Sequence, residues 1–417
     1  MKSALSIWWD GKTVGRLTLD EHGDMGFSYD AAWLADPEAR PISCSLPKRG
    51  APFNRRETRP FFAGLLPEES VRQEVARVLG LSERNDFALL KALGGDIAGA
   101  LTLWPEDETP PVYDGAGTRE PLGDNALIDL LDTLPKRPFL AGRAGMRLSL
   151  AGAQTKLPVV VIDDQIALPQ PGEPTTHILK PPLRHYPAST ENEAFVMQLA
   201  GAIGLDVAPV IPRKTKDRPY LLIKRYDRHV DEHGRVQRLH QEDFCQALAI
   251  TPERKYAAEG GPTFKTSFAL LNKAASQPAV EILKLLDAAL FNLVAGNADA
   301  HGKNFSLLYR PNAVAFAPLY DLMCTVAYPE IDKTLAMKIA GVSDLKEFVP
   351  RTWQKFAVDT SIGLPFLRRR VKEICQAARD HADHVAHSIA DQGFDTEALT
   401  RYAIIARGRA ETIAASV

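Results

Sequence analysis

Only four cysteines occur in 417 residues, and Cys44, Cys245, Cys324 and Cys375 form no C-x-x-C pair and have no histidine at ligand spacing. This scarcity and scatter exclude a disulfide framework and a zinc site, and point to reduced thiols in the cytoplasm. Charge of one sign is lacking too: the 50 basic and 52 acidic side chains leave a formal net charge of -2, so no whole-protein field draws the chain to nucleic acid or a membrane. Nor are there long hydrophobic runs. After Met1-Lys2 the stretch Ser3 to Trp9 is too short for a signal peptide, and nothing later nears the roughly 20 apolar residues of a membrane span. With no internal repeats and no low-complexity tract, a soluble, cytoplasmic protein with no membrane partner is expected.

What remains is ordinary globular composition, 45% hydrophobic and 24% charged. The length exceeds the roughly 250 to 300 residues at which single cores stop growing, so at least two packed units are expected. Residues 4 to 29 alternate apolar runs with the turn signals Asp10-Gly11 and His22-Gly23-Asp24, the pattern of an antiparallel meander. Arg59 to Glu69 and Ser70 to Leu79 read as helices, the second stopped by Gly80, and Asp96 to Trp104 as a strand. A short helix is expected near 124 to 133. Strands follow at Met146 to Leu150, Leu157 to Ile162, His177 to Lys180 and Tyr220 to Tyr226, interrupted by a helix from Glu191 to Ile203. From about 240 the pattern is mainly helical, clearest over Val280 to Ala295 with Gly296 as its stop. The expected organisation is an N-terminal subdomain (1–105), a linker rich in Pro, Gly and charge (106–123), a strand-rich lobe (124–235) and a helical lobe (236–417).

The stretch N-A-D-A-H-G-K-N-F-S at 297 to 306 places Asp299 and Asn304 in the D-x4-N spacing of a protein-kinase catalytic loop. There an aspartate accepts the hydrogen of the attacking hydroxyl, and an amide oxygen reaches a magnesium ion on the ATP phosphates. Alone, the spacing is weak. The other parts that phosphoryl transfer needs also have candidates, in a workable order. Ser149 to Lys156 joins two short strands through small residues whose amides suit phosphate oxygens, or forms an ordinary hairpin turn. Lys180 ends an apolar strand, either as a phosphate-pairing lysine or as a snorkelling strand-end lysine. Glu191 and Glu193 are placed to orient it, with surface solvation as their default. Leu221 to Asp227 leaves the sheet where an adenine-binding hinge lies, with Tyr226 as a stacking surface or a half-buried strand-end aromatic. Ala315 to Tyr320 reads as a strand delivering Asp321, seventeen positions after Asn304, where a kinase keeps its second magnesium ligand.

With these motifs in order, the chain resembles the HipA family of bacterial serine/threonine kinases, the toxin half of a toxin-antitoxin pair. The resemblance rests on F-F-A-G-L-L-P-E at 61 to 68, L-S-L-A-G-A-Q-T-K at 148 to 156, H-I-L-K-P-P at 177 to 182, the stretch Gln241 to Pro262, the catalytic loop, and P-L-Y-D at 318 to 321. It implies an α+β fold with a two-lobed protein-kinase-like core behind a small β-meander plus helix subdomain, using ATP and magnesium. Asp299 would be the proton acceptor, and Asn304 and Asp321 would hold the metal. The nucleotide would be bound by Ala151, Gly152, Ala153, Gln154, Thr155, Lys156, Lys180, Lys224, Arg225, Tyr226, His301, Gly302, Lys303, Asn304, Tyr320 and Asp321. Ser149 matches the serine that members phosphorylate on themselves, switching the kinase off. The implied target is a protein serine, in the family a glutamyl-tRNA synthetase, and the implied partner is a HipB-like helix-turn-helix antitoxin that carries the contact to DNA. At the hinge, Lys224 stands where an acidic residue is expected.

Arg368, Arg369, Arg370 and Lys372 form a basic cluster that suits either DNA phosphates or a solvated helix face. Two other functions compete with the protein kinase: a small-molecule kinase on a similar fold, and an inactive DNA-binding co-repressor subunit.

Overall fold

The computed structural model describes residues 3–113, 115 and 119–417. Part of the expected linker, residues 114 and 116–118, lies outside them, as do Met1 and Lys2. The chain divides into two compact units, one comprising the chain through Pro181 with Arg213–Glu253 and Leu308–Arg310, the other Pro182–Pro212, Arg254–Leu307 and Pro311–Val417.

The first unit begins with the expected meander. Strands β1 (Ser3–Trp9), β2 (Lys12–Leu19) and β3 (Met25–Tyr29) pair antiparallel in sequence, and β4 (Leu101–Pro105) closes the far edge of β1. Asp10 (φ 47°) and Gly11 (φ 75°) both take positive φ, as a two-residue hairpin needs to match the strand twist. Alternate residues face inward, so Leu5, Ile7, Leu17 and Phe27 are buried, and Val14, where the register between β1 and β2 shifts, is buried as well. The expected strand from Asp96 is shorter than its apolar pattern, because residues 96 to 100 leave the ladder and only Leu101–Pro105 pairs with β1. The expected helix at 59 to 69 starts earlier, at Arg55, where Asn54 and Glu57 form a capping box, and ends at Ala63; a second helix runs Glu69–Leu79.

The sheet that follows has the order β6-β5-β7-β9-β8, built from β5 (Leu157–Ile162), β6 (Gln165–Ala167), β7 (His177–Lys180), β8 (Val210–Thr215) and β9 (Arg218–Lys224). Met146 to Leu150 is not one of its strands; only Leu148 pairs, through a lone bridge to Asp96. Leu5, Phe61, Leu148, Leu157, Leu179 and Leu222 belong to one continuous apolar core, so the meander and the second sheet are consolidated together within this unit.

The second unit is helical: Ser189–Ala202, Phe264–Ala274, Pro278–Ala295, Pro350–Thr360, Leu364–Ala390 and Thr396–Ala415. Leu364–Ala390 packs on Thr396–Ala415, on Ser189–Ala202 and on Pro278–Ala295. Glu191 and Glu193 are not solvated, as their default had it, but buried on a helix covered nearly all round. No helix among the described residues is long and apolar enough to cross a membrane.

Pro278–Ala295 leads into the D-x4-N loop through Gly296, which caps the helix at φ 72° and donates its N–H to Asn292 and Leu293 carbonyls. A Cβ there would lie 2.5 Å from Val326 Cγ2. Gly296→Ala should therefore destabilise the protein by about 1–3 kcal/mol through left-handed strain alone, with the clash adding to it, as read from chemical denaturation midpoints.

Candidate active site

The first unit holds the phosphate-loop and hinge residues. Asp96 anchors the segment before the loop, donating its backbone N–H to Arg147 O (2.8 Å) and accepting Ser149 N–H (3.1 Å) on its carbonyl. The Ser149 hydroxyl is 1% exposed and donates to Leu65 O at 2.8 Å. Glu68 N–H donates to Gly152 O at 3.1 Å. The F-F-A-G-L-L-P-E segment thus holds the loop's first half in place. Gly152 (φ 109°) allows the chain to turn, and Lys156 reaches back to donate to Ala151 O at 2.6 Å. A Cβ on Gly152 would sit 2.8 Å from that ammonium. Lys180 is buried at the end of β7, opposite Leu221 on β9.

At the hinge the structure separates backbone from side chain. Arg225, 3% exposed, gives its guanidinium to Asp227 (2.9 and 2.7 Å), to Thr175 Oγ1 (2.9 Å) and to Ile97 O (2.8 Å). Its side chain is therefore committed internally, and only its backbone remains for a nucleotide. Tyr226 is half-buried, its hydroxyl donating to Gln241 Oε1. Lys224 is exposed at the end of β9, and burial followed by its positive charge holds the His177 ring down at about 4.

Sequence reasoning missed the group around which these segments meet. Asp96 accepts Arg228 Nη2 (2.7 Å), Arg238 Nε (3.2 Å), and both the N–H (3.1 Å) and hydroxyl (2.6 Å) of Thr175. Asp227 in turn accepts Gly99 N–H at 2.8 Å. Burial alone would raise both carboxyls. The guanidinium groups of Arg225 and Arg228 outweigh it, holding Asp227 at about 2 and Asp96 well below the ordinary carboxylate range. The available signal was R-Y-D-R at 225 to 228, three charges at the end of an apolar strand.

The second unit holds the catalytic-loop residues. The loop is built on its own side chains. Asn297 donates to Asn292 Oδ1 (2.8 Å) and accepts Asp299 N–H (3.2 Å), while Thr325 Oγ1 accepts Ala298 N–H (2.8 Å) and donates to Gly296 O (3.2 Å). Asp299 is left exposed, its carboxylate accepting the Tyr256 hydroxyl at 2.9 Å. Tyr256, whose ring also meets the His301 ring edge-on at 5.2 Å, was not singled out from the sequence. A 3-10 turn over Gly302–Asn304 buries Lys303 and Asn304, and the Tyr320 hydroxyl donates to Lys303 O at 2.7 Å.

The expected strand Ala315 to Tyr320 stops at Phe316, before Pro318. Leu319 instead bridges to Val207, its N–H on Asp206 O (2.8 Å), and Asp321 follows with φ 58°. That left-handed turn brings Asp321 Oδ2 to 3.3 Å from Asn304 Nδ2. Asn304 Oδ1 is buried and has no hydrogen-bond partner among the described residues. An orphaned amide oxygen beside a carboxylate is a hard oxygen pair of the kind magnesium takes, one or two protein ligands with substrate phosphates completing the shell. No group of three His, Cys, Asp or Glu side chains among the described residues suits an all-protein metal cage. The basic cluster is partly spent: Arg370 grips Asp287 with two hydrogen bonds (2.6 and 2.8 Å) and reaches Glu373.

The α+β architecture carries an exposed aspartate in a D-x4-N loop, a paired amide and carboxylate, and a glycine turn with a buried strand-end lysine; the class is that of a kinase-like protein. Residues 148–386 match the HipA-like C-terminal domain model and residues 5–104 the HipA N-terminal domain model, so the chain belongs to the HipA family of toxin-type kinases. It is 54% identical to the putative kinase Y4mE of Sinorhizobium fredii, over 99% of both chains. It is 30% identical to the serine/threonine-protein kinase toxin HipA of Shewanella oneidensis, over 84% of this chain and 82% of that one. A solved Shewanella oneidensis HipA, in a complex with HipB and its operator DNA, superposes with TM-score 0.83 at 27% identity, covering 98% of this chain and 96% of the other.

Removing one partner from the buried cluster strands its opposite charges, so Asp96→Ala should cost about 3–5 kcal/mol in urea denaturation. Asp227 in the folded protein titrates at about 2, below the roughly 3.9 of an unfolded aspartate. Its contribution is therefore complete above about pH 4 and is lost as pH falls towards 2, which denaturation midpoints measured at pH 6, 4 and 3 will show.

Proposed function

We propose that this chain is an ATP- and magnesium-dependent protein serine kinase acting as the toxin of a toxin-antitoxin pair. The observation that carries the reading is the Asn304–Asp321 pair with its open amide oxygen, next to a loop that presents Asp299 outward. Magnesium, when bound, would neutralise charge on the phosphates. Asn304 and Asp321 would hold it, Ala151 to Lys156 and Lys180 would orient the phosphates, and the backbone at 224 to 226 would read the adenine edge. Asp299 would accept the proton of the acceptor hydroxyl as its oxygen bonds the γ-phosphorus and the bond to the ADP oxygen breaks; the proton then passes to water. Tyr256, donating to Asp299, fixes the rotamer of that carboxylate.

The acceptor is proposed to be a protein serine, a glutamyl-tRNA synthetase being the family's target, and the neutralising partner a HipB-type protein that brings the DNA contact. In support, the Shewanella oneidensis HipA structure is of a complex with HipB and operator DNA. The internal ties of Arg370 favour DNA contact through such a partner rather than through this helix.

Autophosphorylation at Ser149 is proposed as the off-switch. Its hydroxyl is buried and donates to Leu65 O; a dianion in its place would lose that donor and face the carbonyl oxygen, so a phosphorylated segment would leave it.

Asp299→Asn should lower transfer by about 10²- to 10⁴-fold while magnesium-dependent ATP binding, followed by calorimetry, persists. Undiminished transfer would refute the assignment. Ser149→Ala, which forfeits one hydrogen bond worth about 1 kcal/mol, should remain active and show no mass increment at peptide 148–156 after incubation with ATP and magnesium.

A further inference from the structure

Resting on the kinase reading, we infer that Asn192, on the helix Ser189–Ala202, is a positioning residue for phosphoryl transfer: its amide clamps the backbone of Cys324 and so keeps Asp321 beside Asn304. The clamp and both site residues lie within the helical unit. Asn192 Oδ1 accepts the Cys324 N–H at 2.7 Å, and its Nδ2 donates to the Cys324 carbonyl at 3.1 Å and to the Tyr328 hydroxyl at 3.2 Å. One side chain thus pairs with the N–H and the C=O of a single residue, as a neighbouring strand would, and uses both of its own hydrogens.

The amide is an expensive choice at this place. Asn192 is fully buried, in the first half of a helix whose neighbouring positions are buried too. Asparagine is a weaker helix former than leucine, and a buried amide must find partners for everything it gave up in water. A leucine is of similar size and carries neither penalty. What leucine lacks is the ability to grip a backbone that has no regular structure of its own.

The gripped segment is the one that carries the metal-site carboxylate. Asp321 precedes Cys324 by three residues and holds a left-handed φ of 58°, which a residue with a Cβ tends to leave unless the chain is fixed on both sides. On the near side, Leu319 donates its N–H to Asp206 O (2.8 Å) and accepts Ala208 N–H (2.9 Å), just beyond the end of the Asn192 helix. On the far side stands the Cys324 clamp. Past Cys324 the segment reaches the catalytic loop, where Thr325 Oγ1 accepts Ala298 N–H (2.8 Å) and Val326 N–H donates to Gly296 O (3.1 Å). The Asn304–Asp321 contact itself, at 3.3 Å, is at the long end of a hydrogen bond and does not hold the turn alone. Releasing Cys324 therefore frees Asp321 to relax out of its turn and away from the Asn304 amide.

The test compares full-length Asn192→Leu with Tyr328→Phe, which removes a hydroxyl from the same buried cluster but leaves the Cys324 clamp intact. The magnesium concentration that half-saturates ATP binding in calorimetry should rise by about tenfold in Asn192→Leu, the low end for a lost outer partner of a metal ligand, and stay within about twofold in Tyr328→Phe. Hydrogen exchange on the nucleotide-free protein supplies a readout independent of the metal: the Cys324 amide should be protected in wild type and Tyr328→Phe, and exchange at least about 100-fold faster in Asn192→Leu. If Asn192→Leu does not fold, Asn192→Ser, too short to span both backbone groups, takes its place. A magnesium requirement unchanged by loss of the amide, or raised equally by Tyr328→Phe, overturns the inference, and so does a Cys324 amide that is unprotected in wild type. Absence of magnesium-dependent ATP binding in wild type would instead strike the kinase reading.

Discussion

The first unit is organised by a charge cluster that water does not reach. Asp96, Arg225, Asp227 and Arg228 are each buried, and their hydrogen bonds run to Thr175, Ile97, Gly99 and one another rather than outward. Such a cluster gains little net free energy over an apolar core of the same volume. What it contributes is register: it fixes residues 96 to 99, the segment before β7 and the end of β9 against each other in one arrangement. The Asp96 backbone extends that arrangement to Arg147 and Ser149, and so to the mouth of the glycine loop. Apolar side chains, which tolerate sliding, cannot fix three irregular segments this way.

The helical unit solves the same problem with neutral groups. Asn292, Asn297 and Thr325 satisfy the backbone of the turn after Gly296, so the loop needs no sheet to hold its shape. Its rigidity is paid for by burying amides, while Asp299 faces solvent and accepts the Tyr256 hydroxyl.

The elements with strong periodicity were legible in the sequence. Asp10-Gly11 announced the first hairpin, Gly80 and Gly296 stopped their helices, and β5, β7 and the helix into the catalytic loop lie where alternation or helical spacing put them. The errors share a physical origin. Met146 to Leu150 and the residues before Asp321 are apolar and extended, yet their partners are single bridges and carbonyls, which leave no periodic trace. Glu191 and Glu193 look solvated to any local rule, because the cover over their helix comes from distant segments. Asp299, Asn304 and Asp321 were read together, from the D-x4-N spacing and the acidic residue expected after the following strand, and Asn304 and Asp321 do meet. Asp96 and Tyr256 were not found, because each acts through a residue far along the chain. Arg225 was read as a nucleotide ligand because its neighbours in sequence suggested a hinge, while its neighbours in space are carboxylates.

The burial of the Ser149 hydroxyl has a kinetic consequence. A group held on a carbonyl inside the core is reached only from a minor conformer in which the segment 148–156 has come away. For any enzyme that modified it, the rate would scale with the population of that conformer, each 1.4 kcal/mol of opening free energy slowing modification about tenfold. Ligands that bind the closed loop lengthen the wait, and loosening the Leu65–Glu68 latch shortens it. The protein would then carry in its own fold a clock whose period is an equilibrium constant.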